Sequence, residues 1–198
     1  MTNRQRAKTS KKSQLGSIRI ISGQWRGRRL PVLESDGLRP TTDRVKETLF
    51  NWLAPHLAHS RCLDLFAGSG GLGFEAASRY ADQVTLCELN KPAFQQLEKN
   101  SALLSAENIA IKNTDSLAML KAQGSAYDIV FIDPPFRKEM LDQCVALLES
   151  NGWLAENALI YVETEKELSH FTPPTHWTPL REKVAGQVKY QLFKREIV

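Results

Sequence analysis

The chain has 198 residues, 42% of them hydrophobic, which is enough to bury the core of one domain or of one domain with a small addition. No run of about 18 apolar residues occurs, which argues against a transmembrane helix, and the basic start lacks the apolar stretch of a secretory signal. The three cysteines, Cys62, Cys87 and Cys144, form no CxxC pair. We therefore expect buried free thiols in a reducing cytoplasm, and neither disulfides nor a metal site.

The net charge of +4 conceals an uneven distribution. Residues 1–29 contain nine Lys and Arg residues and no Asp or Glu, whereas the remainder holds 17 basic and 22 acidic residues. A basic segment on a mildly acidic body indicates a polyanionic partner such as nucleic acid. The alternative is a solubilising tail without a partner.

The N-terminal third of the chain divides into three predicted segments. Residues 1–16 are polar and rich in Lys, Ser and Gln, as in a disordered tail. Residues 17–38 contain two β-prone runs around Ser22-Gly23-Gln24, which predicts a hairpin with a basic face. The domain proper is expected over 39–198, and it opens with a helix whose N-cap is Thr42 or Asp43.

From residue 61 onward, predicted strands and helices alternate. Strands are predicted at 61–66, 83–89, 108–113, 127–132 and 158–164, and helices at 74–81, 91–105, 116–123 and 138–150. Two further strands are predicted within 178–197, joined at residues 185–187. This order predicts an α/β fold in which a mostly parallel sheet carries helices on both faces, with an antiparallel edge. Ligands of such sheets bind beyond the carboxyl ends of the strands.

A glycine-rich loop follows the first of these strands. Residues 64–73 read DLFAGSGGLG, and Gly68 to Gly73 fit G-x-G-x-x-G between a strand and a helix. Glycines there permit a tight turn and a close approach of ligand to backbone. Glu88 ends the next strand, where a carboxylate can accept hydrogen bonds from both ribose hydroxyls of a bound nucleoside. The alternative for Glu88 is an exposed acid that opens the following helix.

Two cofactor classes fit this loop. A nicotinamide dinucleotide would place its pyrophosphate there, whereas S-adenosylmethionine would lay its methionine and ribose along it. Asp64 favours the second class, because an acid at the head of the loop can help to hold the methionine ammonium group but has no use beside a pyrophosphate. After the third strand, Asp115 could accept a hydrogen bond from an adenine amino group, or it could serve as a helix N-cap. Both roles are compatible.

The sequence DPPF, residues 133–136, follows the strand that is expected to neighbour the glycine-loop strand at the switch point of the sheet. In isolation it would terminate a strand. At this position, Asp133 and the Pro134 carbonyl offer two acceptors for one aromatic amino group, and Phe136 offers a stacking face. Held in this way, the nitrogen can pyramidalise and direct its lone pair at an electrophile, which is catalysis by positioning and electrostatic preorganisation.

The motifs DLFAGSGGLG, CELN and DPPF, in this order, resemble those of class I S-adenosylmethionine-dependent methyltransferases that modify amino groups on planar systems. The blocks RIISGQWRGRRL and RPTTDRVKETLFNWL are similar to the RsmD family of bacterial 16S rRNA guanine-N2 methyltransferases. The resemblance covers residues 17–195. It implies a Rossmann-like, mostly parallel seven-stranded sheet with an antiparallel last strand, and methyl transfer to a guanine of small-subunit rRNA, either free or in an assembling 30S particle. A monomer is expected.

The resemblance also implies the site residues. The catalytic positions are Asp133, Pro134, Pro135 and Phe136. The cofactor would contact Asp64, Phe66, Ala67, Gly68, Ser69, Gly70, Gly73, Glu88, Leu89, Asp115 and Ser116. The RNA would contact Arg19, Arg26, Arg28, Arg29, Arg39, Thr41, Thr42 and Arg44. The block Arg39-Pro40-Thr41-Thr42 is expected near the mouth of the active site, with helix capping as the alternative.

Four other functions compete with this one. DNA adenine methyltransferases share the tetrapeptide but usually carry a target-recognition domain, for which 198 residues leave little room. Protein-glutamine methyltransferases usually begin the motif with Asn, and this chain has Asp133. An NAD(P)-linked oxidoreductase is supported only by the glycine loop and Glu88. A non-catalytic RNA-binding protein would not need an intact DPPF.

Overall fold

The computed structural model describes residues 16–33, 42–135, 138–168 and 171–196. Its helices are α1 Asp43–Leu57, α2 Gly71–Ser78, α3 Lys91–Leu104, α4 Ser116–Leu120 and α5 Lys138–Ser150, with a 3₁₀ helix at Lys166–Leu168. Its strands are β1 Gly16–Arg19, β2 Arg29–Val32, β3 Arg61–Asp64, β4 Gln83–Glu88, β5 Ile109–Asn113, β6 Tyr127–Ile132, β7 Leu154–Glu165, β8 Trp177–Ala185 and β9 Val188–Arg195. The predicted α/β fold is confirmed.

Seven strands form one sheet in the order β5-β4-β3-β6-β7-β9-β8. The pairs from β5 to β7 are parallel, and β9 is antiparallel to both of its neighbours. The predicted antiparallel last strand is therefore confirmed. Strands β4 and β5 follow β3 on one side, whereas β6 and β7 lie on its other side. The switch point of the sheet is therefore between β3 and β6, where the sequence predicts it.

Successive side chains of each central strand point to opposite faces of the sheet, and both sets are apolar and buried. Helices therefore cover both faces. Cys62 and Phe131 belong to one buried cluster, which α1, α2 and α3 complete. Leu63 and Ile132 belong to a second cluster, which α4 and α5 complete. The three cysteines are buried free thiols, as predicted, and burial raises the pKa of the Cys62 thiol to about 12.

Strands β1 and β2 pair antiparallel as a separate hairpin, which confirms the predicted N-terminal hairpin. The connection between the two strands is longer than the predicted Ser22-Gly23-Gln24. The last hydrogen bond between them joins Gly27 N–H to the Ile20 carbonyl, so the loop spans residues 21–26, and β2 starts at Arg29. Gly16, which the sequence assigns to the tail, begins β1. Residues 1–15 and 34–41 lie outside the described residues.

The hairpin packs against α2. The buried Glu75 carboxylate accepts hydrogen bonds from the backbone N–H groups of Ile21 and Ser22, at 2.8 and 3.0 Å. At the C-terminal end of α2, the Ser78 carbonyl accepts from Gln24 N–H at 2.8 Å, and the Ser78 hydroxyl donates to the Ser22 carbonyl at 2.6 Å. The hairpin is thus fixed to the domain at the C-terminal half of this helix.

Candidate active site

A cleft of about 1030 Å³ lies beyond the carboxyl ends of β3, β4, β6 and β7. One side is formed by the glycine loop after β3 and by the residues that follow β4. The other side is formed by Asp133, Pro134 and Pro135 after β6 and by the end of β7. The cleft therefore brings together the two groups of residues that the sequence assigns to cofactor and to acceptor.

Backbone hydrogen bonds define the glycine loop. Ala67 N–H donates to the Cys87 carbonyl at 2.9 Å, which ties the loop to β4, and Gly70 N–H donates to the Ala67 carbonyl at 2.7 Å. Phe66, Ala67, Gly68 and Ser69 line the cleft, as predicted for residues beside a ligand. Their contact with a cofactor remains a prediction.

Gly70 and Gly73 lie elsewhere and are needed for packing. Gly70 has φ of +80°, and a Cβ atom there would collide with the Phe74 ring. A Cβ atom on Gly73 would collide with Leu86 of β4, because helix α2 crosses the strand closely at this point. Neither glycine lines the cleft. The neighbouring Gly71 and Leu72 line the cleft, although the sequence analysis did not select them. They form the first turn of α2, which begins at Gly71 and not at residue 74 as predicted.

Glu88 is held in place by two backbone donors. Its Oε2 atom accepts from Gly68 N–H at 2.8 Å, and its Oε1 atom accepts from Asn90 N–H at 2.7 Å. These bonds join the ends of β3 and β4 and contradict the alternative of a simple exposed acid. Each carboxylate oxygen has a second lone pair, so the fixed carboxylate can still accept from two hydroxyls in the cleft.

Asp115 is the N-cap of α4, which is one of its two predicted roles. Its Oδ1 atom accepts from Leu117 N–H at 2.8 Å and from Ala118 N–H at 3.2 Å. Its neighbour Ser116 donates to the Leu65 carbonyl. Both residues line the cleft, together with Leu89, whose side chain is 67% exposed. An exposed leucine beside polar groups offers an apolar surface to a flat ring.

Asp64 is a buried carboxylic acid at the floor of the cleft. Burial raises its pKa to about 7, the N–H groups of Phe66 and Gly73 oppose the rise by donating hydrogen bonds, and the negative charge of Glu88 adds to it. A cation placed beside Asp64 would lower this pKa and be bound in return. This arrangement fits the ammonium group of an amino-acid moiety.

Asp133 is perturbed more strongly. Burial raises its pKa well above the usual range, and the negative charges of Glu163 and Asp64 raise it further. Asp133, Pro134 and Pro135 line the cleft. Phe136 lies outside the described residues, as do Arg39, Pro40 and Thr41. Thr42 caps α1 by accepting from Val45 N–H at 3.4 Å, and it also lines the cleft, so both predicted roles of this block meet in one residue.

Sequence reasoning missed the acidic end of β7. Glu163 and Glu165 line the cleft beside Asp133, and Glu167 follows in the 3₁₀ helix. The loop of the β8–β9 hairpin, residues 185–188, closes the same side. The three acids occupy alternate positions after the apolar run of β7, and this pattern is visible in the sequence. Their position at the cleft, however, follows only from the pairing of β7 with β6.

The basic residues lie outside the cleft wall and are exposed: Arg19, Arg26, Arg28, Arg29 and Arg44. Arg19 forms an ion pair with Asp43 at 3.3 Å, at the start of α1 and next to the cleft residue Thr42. Arg28 donates to the Leu103 carbonyl at 3.1 Å, near the end of α3. The hairpin loop therefore lies near the amino ends of the strands, away from the cleft. RNA contacts by these residues remain a prediction.

Within the described ranges, no group of three or more His, Cys, Asp or Glu side chains has the arrangement of a metal site. In the same part of the chain, no helix combines the length and the apolar character that crossing a membrane requires.

Comparison with known proteins identifies the family. A family described as Conserved hypothetical protein 95 matches residues 18–194. The chain is 58% identical over 181 residues to ribosomal RNA small subunit methyltransferase D of Escherichia coli, which covers 91% of each chain. It is 54% identical to the protein of the same name in Haemophilus influenzae, over 90% of this chain and 94% of the relative. The chain belongs to the RsmD family.

Solved structures of RsmD-like proteins share the fold. A putative methyltransferase, yhhF, of E. coli superposes with a TM-score of 0.87 at 55% identity, over 91% of this chain and 99% of the other. A putative methylase of H. influenzae superposes with a TM-score of 0.80 at 48% identity, over 92% of this chain and all of the other. The family, and the class I methyltransferase fold expected from the resemblance, are thus confirmed.

Proposed function

We propose that this protein transfers a methyl group from S-adenosylmethionine to the exocyclic N2 of a guanine in small-subunit rRNA. The observation that carries the proposal is the single cleft in which Asp133 and Pro134 face the glycine loop and Glu88. The names of the E. coli and H. influenzae relatives support rRNA as the acceptor. The reaction would take place in the cytoplasm, where rRNA is assembled into small subunits.

The cofactor half of the cleft has the hydrogen-bond acceptors that S-adenosylmethionine requires. Glu88 would accept hydrogen bonds from the ribose hydroxyls, and Asp64 would accept from the ammonium group. Asp115 would accept from the adenine amino group, and Leu89 would pack against the adenine ring. When bound, S-adenosylmethionine supplies an electrophilic methyl group on a cationic sulfonium. Asp64 and Asp133, whose carboxyl groups have raised pKa values, both line the cleft, and a positive charge between them would lower both pKa values.

The acceptor half positions the amine. Asp133 and the Pro134 carbonyl accept the two N–H bonds of the guanine N2 group, which turns the nitrogen lone pair toward the methyl group. As the nitrogen gains the methyl it must lose one proton. The raised pKa of Asp133 makes its carboxylate a better proton acceptor than an ordinary aspartate, so it can receive that proton directly or through water.

The decisive experiment is the substitution Asp133→Ala. We expect methyl transfer to fall by about 10²–10³-fold, as when one preorganised polar group is removed from an active site. Affinity for S-adenosylhomocysteine should change little, because Asp133 lies in the acceptor half. Transfer would be measured with labelled cofactor on small-subunit rRNA and particles from cells that lack the protein, and affinity by calorimetry.

Asp142→Ala, an exposed position on α5, is the matched control and should retain transfer. Undiminished transfer by the Asp133 variant would overturn the catalytic assignment. DNA and protein acceptors in parallel reactions test the competing methyltransferase functions. A thermal-shift comparison of NADH with S-adenosylhomocysteine tests the oxidoreductase, because a bound ligand stabilises the folded state by mass action.

A further inference from the structure

The acceptor half of the cleft contains a second carboxylate beside Asp133. Strands β6 and β7 are parallel, and Ile132, the last residue of β6, is paired with Val162. The residues that follow each of these along the chain, Asp133 and Glu163, are therefore neighbours. Side chains alternate along a strand, which places Asp133 on the side of Phe131 and Glu163 on the side of Tyr161. Phe131 and Tyr161 belong to the same buried cluster, so the two acids share one side of the sheet.

Glu163 is oriented rather than free to rotate. The buried Tyr161 hydroxyl donates a hydrogen bond of 2.7 Å to its Oε2 atom. Its Oε1 atom has no hydrogen-bond partner among the described residues, and Glu163 lines the cleft. A carboxylate oxygen held this way presents a fixed acceptor to whatever occupies the acceptor half.

The pair of acids matches one nucleobase edge. Adenine and cytosine each present an amino group next to an unprotonated ring nitrogen, and uracil presents one N–H between two carbonyls. Guanine alone presents an amino group and a ring N–H side by side, at N2 and N1. Two neighbouring carboxylates, which only accept hydrogen bonds when ionised, complement that edge and reject the other three.

We propose that Glu163 is a specificity-determining residue that accepts the N1–H of the target guanine while Asp133 and Pro134 hold N2. This inference rests on the proposed function and supplies the selection of guanine from the geometry of the site. Glu165 lies two residues further along β7, about 7 Å away, and is too distant to share the same base edge with Asp133.

The electrostatics of the two acids agree with this role. Burial raises the pKa of Glu163, and the Tyr161 hydrogen bond opposes the rise. Asp133 and Glu163 repel each other when both are ionised, and Asp64 adds to the repulsion at Asp133. Guanine brings two N–H bonds to the pair, one from N2 and one from N1, and would offset that repulsion, whereas an adenine would place a lone pair against a carboxylate.

The test uses 2-aminopurine, which retains the exocyclic N2 amine of guanine but has an unprotonated N1. The methylated guanine is first mapped, and small-subunit rRNA with 2-aminopurine at that position is prepared by splinted ligation and assembled into particles. We expect the native protein to methylate guanine at least about 10²-fold faster than 2-aminopurine, because a site built to accept a hydrogen bond rejects an analogue without the donor.

Glu163→Gln keeps the shape of the side chain but adds an amide donor for the 2-aminopurine N1. We expect the ratio of guanine to 2-aminopurine rates to fall at least tenfold in this variant, with unchanged affinity for S-adenosylhomocysteine. Tyr161→Phe keeps the carboxylate and removes the hydroxyl that orients it, so the ratio should fall by a smaller factor. Tyr161→Phe also supplies the test if the Glu163 variant does not fold.

Glu165→Gln, on the same strand and the same cleft, is the matched control, and its rate ratio should equal that of the native protein. A ratio that stays within threefold of the native value in both Glu163→Gln and Tyr161→Phe would overturn the inference. That outcome is distinct from failure of the proposed function, in which the native protein would not methylate guanine particles at all.

Discussion

Acidic side chains with raised pKa values are concentrated at one position of the molecule. Asp64 ends β3, Asp133 directly follows β6 and Glu163 lies near the end of β7, which are three neighbouring strands. Burial raises the pKa of each of these acids. Without a ligand, their negative charges oppose one another. A cationic cofactor and an amine acceptor would each relieve part of that repulsion, so ligand affinity and protonation are coupled at this site.

The pKa of Asp64, about 7, predicts how cofactor affinity depends on pH. Below pH 7 the carboxyl is protonated and cannot attract the ammonium group, so affinity for S-adenosylhomocysteine should rise with pH and level off above 7. The expected loss at pH 6 is about tenfold, since one pKa unit corresponds to a factor of ten in an equilibrium constant. Calorimetric titrations at pH 5.5, 6.5 and 8 would measure it.

Asp64→Asn is the informative variant. It should bind more weakly at pH 8 and lose the rise between pH 6 and 7, whereas the neighbouring acids Glu88 and Asp133 remain. If the variant keeps the same pH slope as the native protein, the dependence arises from those neighbours or from the ligand, and the role given to Asp64 is wrong.

The N-terminal hairpin is attached to the domain by a few contacts between its loop backbone and α2. Glu75 of α2 accepts from two hairpin N–H groups and also pairs with Arg79 at 2.7 Å. Gly23 has φ of +83°, and a Cβ atom there would collide with the Ser78 carbonyl. The hairpin is held where its loop backbone meets the end of α2.

Two glycines of this loop provide a matched pair of substitutions. Gly23→Ala introduces both the strain of a positive φ and the collision with Ser78, whereas Gly27→Ala, at φ of +82° with nothing within 4 Å of the added Cβ, introduces the strain alone. We expect each to lower the free energy of unfolding by about 1 kcal/mol through strain, and Gly23→Ala to cost about 1–3 kcal/mol more. Urea unfolding curves of the two variants would measure the difference. Equal losses would show that the hairpin loop is not fixed by this contact.

The sequence predicted elements well where local patterns decide them. Val45, Leu49 and Phe50 gave α1 its apolar face, and Thr42 its cap. The start of α2 was placed three residues late, because glycines at 71 and 73 favour a loop locally but are required here by the close crossing over β4. Tertiary packing overrode local propensity at this point.

The candidate site was predictable only in part for a similar reason. The glycine loop and DPPF each follow a strand and Glu88 ends one, so all three could be recognised from their positions. Glu163 could not, because its proximity to Asp133 depends on the register between β6 and β7, which no local pattern specifies.

At the scale of the whole molecule, charge is separated along the chain. Residues 1–15 carry Arg4, Arg6, Lys8, Lys11 and Lys12 with no acid, while the cleft wall beyond β7 is acidic. An acidic wall repels phosphates and admits a base, so backbone affinity for RNA must come from basic residues elsewhere.

Deletion of residues 1–15 should therefore weaken RNA binding and flatten its dependence on salt. The expected change in the slope of log K against log salt is roughly 0.7 for each lost contact with single-stranded phosphate. Binding isotherms between 50 and 200 mM salt would measure the slope, with the cofactor affinity of the truncated protein as a check on folding. An unchanged slope would mean that the segment takes no part in binding.

Helix α2 separates the cleft from the hairpin loop, and we expect the distance between them to set the size of an RNA that contacts both. The first residues of α2 line the cleft and its last residue holds the hairpin loop with Arg26 and Arg28, and its eight residues span about 12 Å. A stacked strand advances about 3.4 Å per nucleotide. An oligonucleotide that supplies only the target base and its immediate neighbours would fill the cleft yet stop short of that loop, and engagement of both would need a footprint at least four nucleotides longer.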